Sequence, residues 1–244
     1  MHPTDRPLTI SEAAEIQAAL KARLRVGPLR SRPQTVAGVD AAFSEASVFA
    51  AAALYAFPGL VPLEDAVAVD RVRFPYVPGF LAFREAEAIA DAVERLSRRP
   101  ELLLVDGQGI AHPGGFGIAC QLGVVLGIPS VGCAKSRLVG RFADPGEEKG
   151  SRSRLVYGGR TVGLVLRTRR GVRPVFVSPG HEVDVAGAAD LVMACTAGFR
   201  IPEPLRKADF LANDARRRVR GGPAGEQRPV KPTEDDQPKR RNDV

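Results

Sequence analysis

Residues 102–105, Leu-Leu-Leu-Val, form a short run that is apolar at every position and lies between two helical patterns. A strand with apolar side chains on both faces must be covered on both faces, which is typical of a parallel sheet packed between helices. The helical patterns span residues 81–99 and 116–126. This run therefore predicts an α/β domain.

Three strand-like runs precede the first of these helices, at residues 35–43, 48–57 and 66–74. Pro, Gly and acidic residues separate them, and such short connections make an antiparallel meander. Further strand-like runs follow at residues 129–133, 161–167 and 173–177, and helical patterns at residues 183–196 and 205–217. We therefore predict a mixed sheet, an antiparallel meander followed by parallel strands, with helices on both faces.

The composition divides the chain near residue 213. Of its 244 residues 44% are apolar, which is enough for a sizeable core. From residue 213 onward apolar residues are few and charged residues dominate. Such a segment cannot bury enough surface to offset its ordering entropy. We predict one domain over residues 1–212 and a charged tail over residues 213–244, which begins as the ragged end of the final helix and is then disordered.

The charge and cysteine content narrow the class of protein. Thirty-five Lys and Arg against 28 Asp and Glu give a net charge of +7, which favours a polyanionic partner. The longest apolar run, residues 48–57, is shorter than the roughly 18 residues of a membrane span. Cys120, Cys133 and Cys195 lie far apart in apolar surroundings. They read as reduced core residues of a cytoplasmic protein without a membrane segment.

Three carboxylates stand where apolar residues are expected. Asp106 follows the strand at residues 102–105, where α/β sheets bind ligands, although an ordinary Asp-Gly turn is the alternative. Glu85 is in phase with the apolar stripe of its helix, although the first turn also welcomes an anion. Asp40 lies in a strand that reads as central, with a salt bridge to an arginine as the alternative. Together they offer the oxygen ligands that Mg²⁺ prefers.

Two more polar groups follow predicted strands. Lys135 and Ser136 come after the strand at residues 129–133, and His181 comes after the strand at residues 173–177. If both strands run parallel to the one before Asp106, then Lys135, His181 and Asp106 meet at one edge of the sheet. Lys135 would stabilise charge on a phosphate, and His181 would position or deprotonate water.

Two loops offer candidates for substrate contact, each with an open alternative. Residues 74–80, Phe-Pro-Tyr-Val-Pro-Gly-Phe, form a stiff loop in which Tyr76 either enters a base stack as a wedge or packs inward. His112 lies beyond Asp106 in a glycine-rich loop, where it either orients a substrate phosphate or caps the loop.

In order and spacing these segments resemble the endonuclease V family over residues 10–212. The segments are residues 36–40 (VAGVD), 74–85 (FPYVPGFLAFRE), 106–113 (DGQGIAHP), 132–136 (GCAKS) and 178–181 (SPGH). The resemblance implies a ribonuclease-H-like fold and a DNA-repair nuclease that requires Mg²⁺, with Mn²⁺ as a substitute. Such enzymes recognise deoxyinosine and cut the second phosphodiester bond on its 3′ side, leaving a 3′-hydroxyl and a 5′-phosphate.

The resemblance also implies roles for individual residues. Asp40, Glu85 and Asp106 match the acidic residues that bind metal, and Lys135 and His181 match the catalytic lysine and histidine. The residues expected to contact DNA are the wedge residues Pro75, Tyr76, Val77 and Pro78, the pocket residues Gly79, Leu81, Gly107 and Gly109, and His112 and Ser136.

Other functions remain to be weighed. A structure-specific nuclease, or one directed to inosine-containing RNA, would use the same fold and chemistry. A non-catalytic binding protein is disfavoured because all five candidate catalytic residues are retained. A dinucleotide-dependent enzyme is disfavoured because Gly107-Gln108-Gly109 lacks the third glycine of that fingerprint. We expect a monomer whose partner is damaged DNA, double- or single-stranded, with RNA as the alternative.

Overall fold

The structure of this chain, a computed structural model, describes residues 8–219 and is built on an eight-stranded sheet of order β3-β2-β1-β4-β5-β8-β7-β6. The strands are β1 (Thr35–Phe43), β2 (Ser47–Ala56), β3 (Val61–Arg71), β4 (Leu103–Val105), β5 (Ser130–Ala134), β6 (Arg152–Tyr157), β7 (Arg160–Leu166) and β8 (Val175–Pro179). The helices are α1 (Ile10–Ala22), α2 (Ala82–Glu94), α3 (Ile118–Leu126), α4 (Val185–Ala194) and α5 (Glu203–Val219).

The first half of the sheet follows the prediction. Strands β1, β2 and β3 form an antiparallel meander, and β1, β4 and β5 run parallel to one another. Residues 213–219 of the predicted tail belong to α5, and the rest of that tail lies outside the described residues.

The second half differs in strand direction. Strand β8 runs antiparallel to β5, and β7 runs antiparallel to β8. Strand β6, absent from the sequence prediction, pairs with β7 as a hairpin. Only eight residues, 167–174, separate β7 from β8, too few for the crossover helix that a parallel connection needs. The predicted parallel direction of β8 relative to β5 is therefore wrong.

Side chains of β1 alternate between two cores. Ala37 and Val39 pack with α2 and α3 on one face, whereas Val36 packs with α4 and α5 on the other. Gly38 shares the face of Val36, and a Cβ there would lie 2.2 Å from the carbonyl carbon of Pro204. The absence of a side chain at Gly38 thus lets the start of α5 lie directly against the central strand.

Two further sequence expectations concern cysteines and membranes. All three cysteines are buried and outside any disulfide, as predicted for reduced core residues. Within residues 8–219, none of the helices combines the length and the apolar character that crossing a bilayer requires.

Candidate active site

Parallel strands place three predicted residues at one edge of the sheet. Asp40 lies near the end of β1, Asp106 directly follows β4 and Lys135 directly follows β5. The backbone N–H of Asp106 donates to the carbonyl of Val39 at 3.2 Å, which sets Asp106 beside Asp40. Lys135 Nζ lies 2.6 Å from Asp106 Oδ2. The structure therefore brings these three side chains together.

Glu85 reaches the same charges from the first turn of α2. Burial, and then the charge of Asp106, raise the pKa of Glu85 to about 8. An effect of Asp106 on Glu85 requires that the two carboxylates be near each other. Glu85 thus belongs to the cluster, although its helix covers the face opposite α5.

The same forces act on Asp40. Burial, and then the neighbouring charge of Asp106, raise the pKa of Asp40 to about 8, while Lys135 opposes the shift. Burial acts to lower the pKa of Lys135, but the charges of Asp106, Asp40 and Asp209 raise it overall. The cluster therefore holds more carboxyl groups than one lysine neutralises, and two of them are driven toward their protonated forms.

Asp209 in α5 also lies at this cluster and is absent from the residues predicted above. Its Oδ1 lies 3.7 Å from Lys135 Nζ, and its charge contributes to the raised pKa of Asp40. The sequence pattern of α5 does indicate Asp209, because it lies four residues after Leu205 and three before Ala212, both of which are buried. This in-phase position is the one that singled out Glu85 in α2.

His181 lies at the opposite edge of the sheet. Because β8 is antiparallel to β5, its end meets the start of β5, where the N–H of His181 donates to Ser130 Oγ at 2.9 Å. The side chain of His181 is buried, and its Nδ1 accepts from the N–H of Arg25. The predicted meeting of His181 with Lys135 and Asp106 is wrong, and the imidazole instead contacts the backbone of Arg25.

A His181→Gln variant should lose stability without losing catalysis. Loss of the buried imidazole, which accepts from the N–H of Arg25, is expected to cost about 1–3 kcal/mol of unfolding free energy, with kcat unchanged per folded molecule. Burial lowers the pKa of His181, so protonation favours the unfolded chain, and wild-type stability should fall as the pH drops below about 6.5. Urea titrations across this pH range check the two effects on stability, and nicking kinetics check kcat. A large drop in kcat at unchanged stability would return His181 to the chemistry.

The loop that carries Tyr76 projects into solvent. Tyr76 is 69% exposed, which excludes the inward-packing alternative, and Arg84 lies 5.8 Å from its ring centroid. Pro75 and Pro78 are exposed and Val77 is half-buried. Gly79 has a φ of +86°, a conformation that favours glycine, and Leu81 behind it is 42% exposed.

The glycine-rich loop is fixed by packing against β8. Gly109 donates its N–H to Ser178 Oγ at 2.8 Å, and a Cβ on Gly109 would lie 1.9 Å from the carbonyl oxygen of Pro179. A Cβ on Gly107 would lie 2.6 Å from Ile118 Cγ2. Both glycines thus have a packing reason for their identity, and their predicted contact with a base stays a prediction.

His112 and Ser136 both lie at the rims of this region. His112 Nδ1 accepts from the N–H of Gly114 at 3.2 Å, which caps the loop, and a contact of His112 with a substrate phosphate stays a prediction. Burial, and then the charge of Lys21, lower the pKa of His112. Ser136 is exposed, and its carbonyl accepts from Gln108 Nε2.

The carboxylates of the cluster are the type of ligand that a hard cation takes. As placed, no three acidic, histidine or cysteine side chains within residues 8–219 are arranged to hold a metal ion, and Asp106 is paired with Lys135. Even so, Asp40 and Glu85 both have a pKa of about 8 because burial and Asp106 disfavour their charged forms. A divalent cation would relieve this repulsion, and carboxylate oxygens are the ligands that Mg²⁺ takes.

Carboxylates gathered with a lysine at the ends of central strands are the groups that a phosphodiester-cleaving nuclease on an α/β fold uses. The family model for endonuclease V matches residues 18–210. An endonuclease V from Geotalea uraniireducens (strain Rf4) is 51% identical over 215 residues, which cover 88% of this chain and 92% of that protein. The chain belongs to the endonuclease V family, whose members are nucleases.

Solved structures agree with this assignment and with the predicted ribonuclease-H-like fold. The crystal structure of endonuclease V from Streptomyces avermitilis matches with a TM-score of 0.85 at 40% identity, covering 89% of this chain and 97% of that one. Endonuclease V from Ciona intestinalis, solved in complex with a 24mer DNA containing an inosine followed by a ribo-adenosine, matches with a TM-score of 0.76 at 24% identity. The match covers 86% of this chain and 98% of the Ciona chain.

Proposed function

We propose that this chain is a Mg²⁺-dependent DNA-repair endonuclease that recognises deoxyinosine and hydrolyses the second phosphodiester bond on its 3′ side. The products are a 3′-hydroxyl and a 5′-phosphate. The observation that carries the proposal is the Lys135–Asp106 pair, with Asp40 beside it at the same sheet edge. The Ciona relative in complex with inosine-containing DNA supports the choice of lesion.

The residues of the cluster divide the chemistry between them. Asp40, Glu85 and Asp106 would hold Mg²⁺, or Mn²⁺ in its place, which supplies positive charge for the attacking and leaving oxygens. Lys135, 44% exposed, is positioned to stabilise charge on the scissile phosphate. Asp209, 49% exposed and next to Lys135, is positioned to orient the attacking water.

Lesion recognition is assigned to the loop of residues 75–81 and the glycine-rich loop. An inosine pair is weaker than a normal pair, so extruding that base from the stack costs less. The exposed ring of Tyr76 fills the gap that the base leaves, and backbone groups near Gly79, Leu81, Gly107 and Gly109 read its edge. His112 and Ser136 lie at the rims of the same region, where we propose that they contact the DNA backbone.

Mapping the cut tests this function directly. End-labelled duplexes that contain inosine, or adenosine at the same place, are incubated with Mg²⁺ or with chelator. We expect one nick at the second bond 3′ to inosine, only with Mg²⁺ and only in the inosine duplex. Inosine-containing RNA and branched DNA serve as competitors. Cleavage of either one in preference to the inosine duplex would replace deoxyinosine as the target.

A Tyr76→Ala variant should weaken binding to the lesion more than chemistry. Loss of one stacked ring is expected to lower affinity for the inosine duplex about 10- to 100-fold, measured in chelator by fluorescence anisotropy. Tyr157→Ala removes another exposed tyrosine, at the end of β6 away from the site, and should change affinity little. Equal affinities for the two variants would remove the wedge role from Tyr76.

A further inference from the structure

Arg200, in the loop between α4 and α5, is 3% exposed and contacts the residue that carries the site's positive charge. Its Nη2 donates to the carbonyl of Lys135 at 2.6 Å and to that of Pro174 at 3.1 Å. Its Nε donates to the carbonyl of Arg173 at 3.0 Å. The carbonyl of Arg200 itself accepts from Thr168 Oγ1 at 2.6 Å. Both the backbone and the guanidinium of Arg200 are therefore held in place.

The bond to Lys135 falls where the sheet ends. The last paired residue of β5 is Ala134, opposite Phe176 of β8. Beyond this pair, Pro174 has no N–H with which to extend the ladder. Arg200 Nη2 instead bridges the carbonyls of Lys135, which follows β5, and Pro174, which precedes β8. A charge-assisted pair of hydrogen bonds thus replaces the ladder at the point where Lys135 leaves the sheet.

Lysine needs such support more than most residues do. Its four-carbon side chain has many rotamers, so the direction of its backbone limits where the ammonium can reach. Lys135 Nζ must reach Asp106, 2.6 Å away, while 44% of its side chain is exposed to solvent. The ammonium contacts Asp106 and Asp209, and the direction of the backbone at Lys135 decides whether it can reach them.

We propose that Arg200 is a positioning residue for Lys135. By fixing the Lys135 carbonyl, Arg200 sets the direction in which the lysine leaves β5 and so holds its Nζ against Asp106. This inference rests on the proposed function in one respect, the part that Lys135 takes in catalysis. The placement of Lys135 Nζ by Arg200 does not depend on the substrate.

The chain supplies a matched control in Arg167. This arginine is 6% exposed and donates from Nε to the carbonyl of Gly146 at 3.1 Å and from Nη2 to that of Pro145 at 2.9 Å. It also donates from Nη1 to the carbonyl of Val172. Arg167 is therefore as buried as Arg200 and likewise donates to three backbone carbonyls. It also forms an ion pair with Asp144 at 3.6 Å, and its carbonyl partners lie outside the catalytic cluster.

The test compares Arg200→Met with Arg167→Met. Both variants should lose stability in urea titrations. Only Arg200→Met should lower kcat for nicking of the inosine duplex, by about 100-fold, with KM and affinity in chelator unchanged. Equal kcat for the two variants, per folded molecule, would overturn the proposal.

A double-mutant cycle separates positioning from general damage. If Arg200 acts only through Lys135, then adding Arg200→Met to a Lys135→Met variant should lower kcat no further. Multiplying losses would overturn the proposal. Arg200→Lys keeps the charge and one donor, should lose less than Arg200→Met, and takes its place in the cycle if Arg200→Met does not fold.

A crystal structure of the Arg200 variant tests the inference without any substrate. We expect Lys135 Nζ to have left hydrogen-bonding distance of Asp106. An unchanged Nζ–Asp106 contact would overturn the inference even if the wild-type protein nicks inosine DNA. Conversely, a wild-type protein that leaves inosine DNA intact would refute the proposed function while this structural result stood.

Discussion

Asp106→Asn is expected to lower the rate of inosine-duplex nicking by at least about a thousandfold. Asp106 pairs with Lys135 at 2.6 Å and raises the pKa of both Asp40 and Glu85, so it lies at the centre of the cluster. Removing one such carboxylate removes several kcal/mol of transition-state stabilisation, and each 1.36 kcal/mol is about tenfold in rate. Single-turnover kinetics at saturating Mg²⁺ measure this loss.

A control replaces an aspartate that is paired but remote. Asp190 in α4 is 68% exposed and bonds to Arg152 Nη1 at 2.8 Å. Asp190→Asn makes the same chemical change and should leave the nicking rate within about twofold, since exposed ion pairs contribute little. Nicking by Asp106→Asn at the rate of this control would contradict the assignment of the cluster.

Asp106→Asn should also change how the free energy of unfolding depends on pH. Folding raises the pKa of Asp40 from 3.8, and that of Glu85 from 4.5, to about 8, so the folded chain binds more protons than the unfolded chain. In chelator, the contribution of Asp40 and Glu85 to the unfolding free energy of the wild-type protein is fully present below about pH 4. It is lost as the pH rises through about 8. Without the Asp106 charge both pKa values fall, and urea titrations should show a weaker dependence on pH.

Gly38→Ala is expected to destabilise the protein by about 3 kcal/mol and to abolish most of the nicking activity. The new Cβ would lie 2.2 Å from the carbonyl carbon of Pro204 and 2.6 Å from the nitrogen of Leu205, both backbone atoms. The start of α5 must therefore move, and α5 carries Asp209. Overpacking of this kind costs 1–3 kcal/mol in typical cores, and here no flexible side chain can yield.

Gly27→Ala is the matched control for this change. No atom lies within 4 Å of the position that its Cβ would take, and the backbone of Gly27 lies outside the left-handed region. This variant should be neutral or stabilised by up to about 1 kcal/mol, because alanine restricts the unfolded chain. Thermal unfolding of both variants compares them. Equal midpoints would mean that α5 can shift away from β1 without cost.

The sequence was sufficient to place the carboxylates and the lysine. Asp40, Asp106 and Lys135 follow, or lie near, the ends of apolar strands, and the ends of parallel strands meet at one edge. Glu85 interrupts the apolar phase of its helix, but the first turn of a helix also favours an anion, so the resemblance to the family was needed to place it in the site. Asp209 interrupts α5 in the same way, so the same reasoning applied to the last helix would have found it.

Strand direction was the part that could not be read from the sequence. Whether His181 meets Lys135 depends on the orientation of β8, which depends in turn on how many strands the chain makes after β5. Strand β6 gave no pattern because Leu155 is its only buried residue, as befits an exposed edge strand. Because β6 is not predicted, the β6–β7 hairpin is not predicted either, and neither is the antiparallel direction of β8 relative to β5.

The place of Asp209 in the last described helix also bears on how the protein is made. A nascent chain emerges from the ribosome with its N-terminus first. Strands β1 and β4 therefore emerge long before α5, which covers Glu203–Val219. A growing polypeptide that has emerged only as far as β8 still lacks the acidic group that completes the cluster. On the proposed function, hydrolytic capacity would thus wait until α5 has left the ribosome.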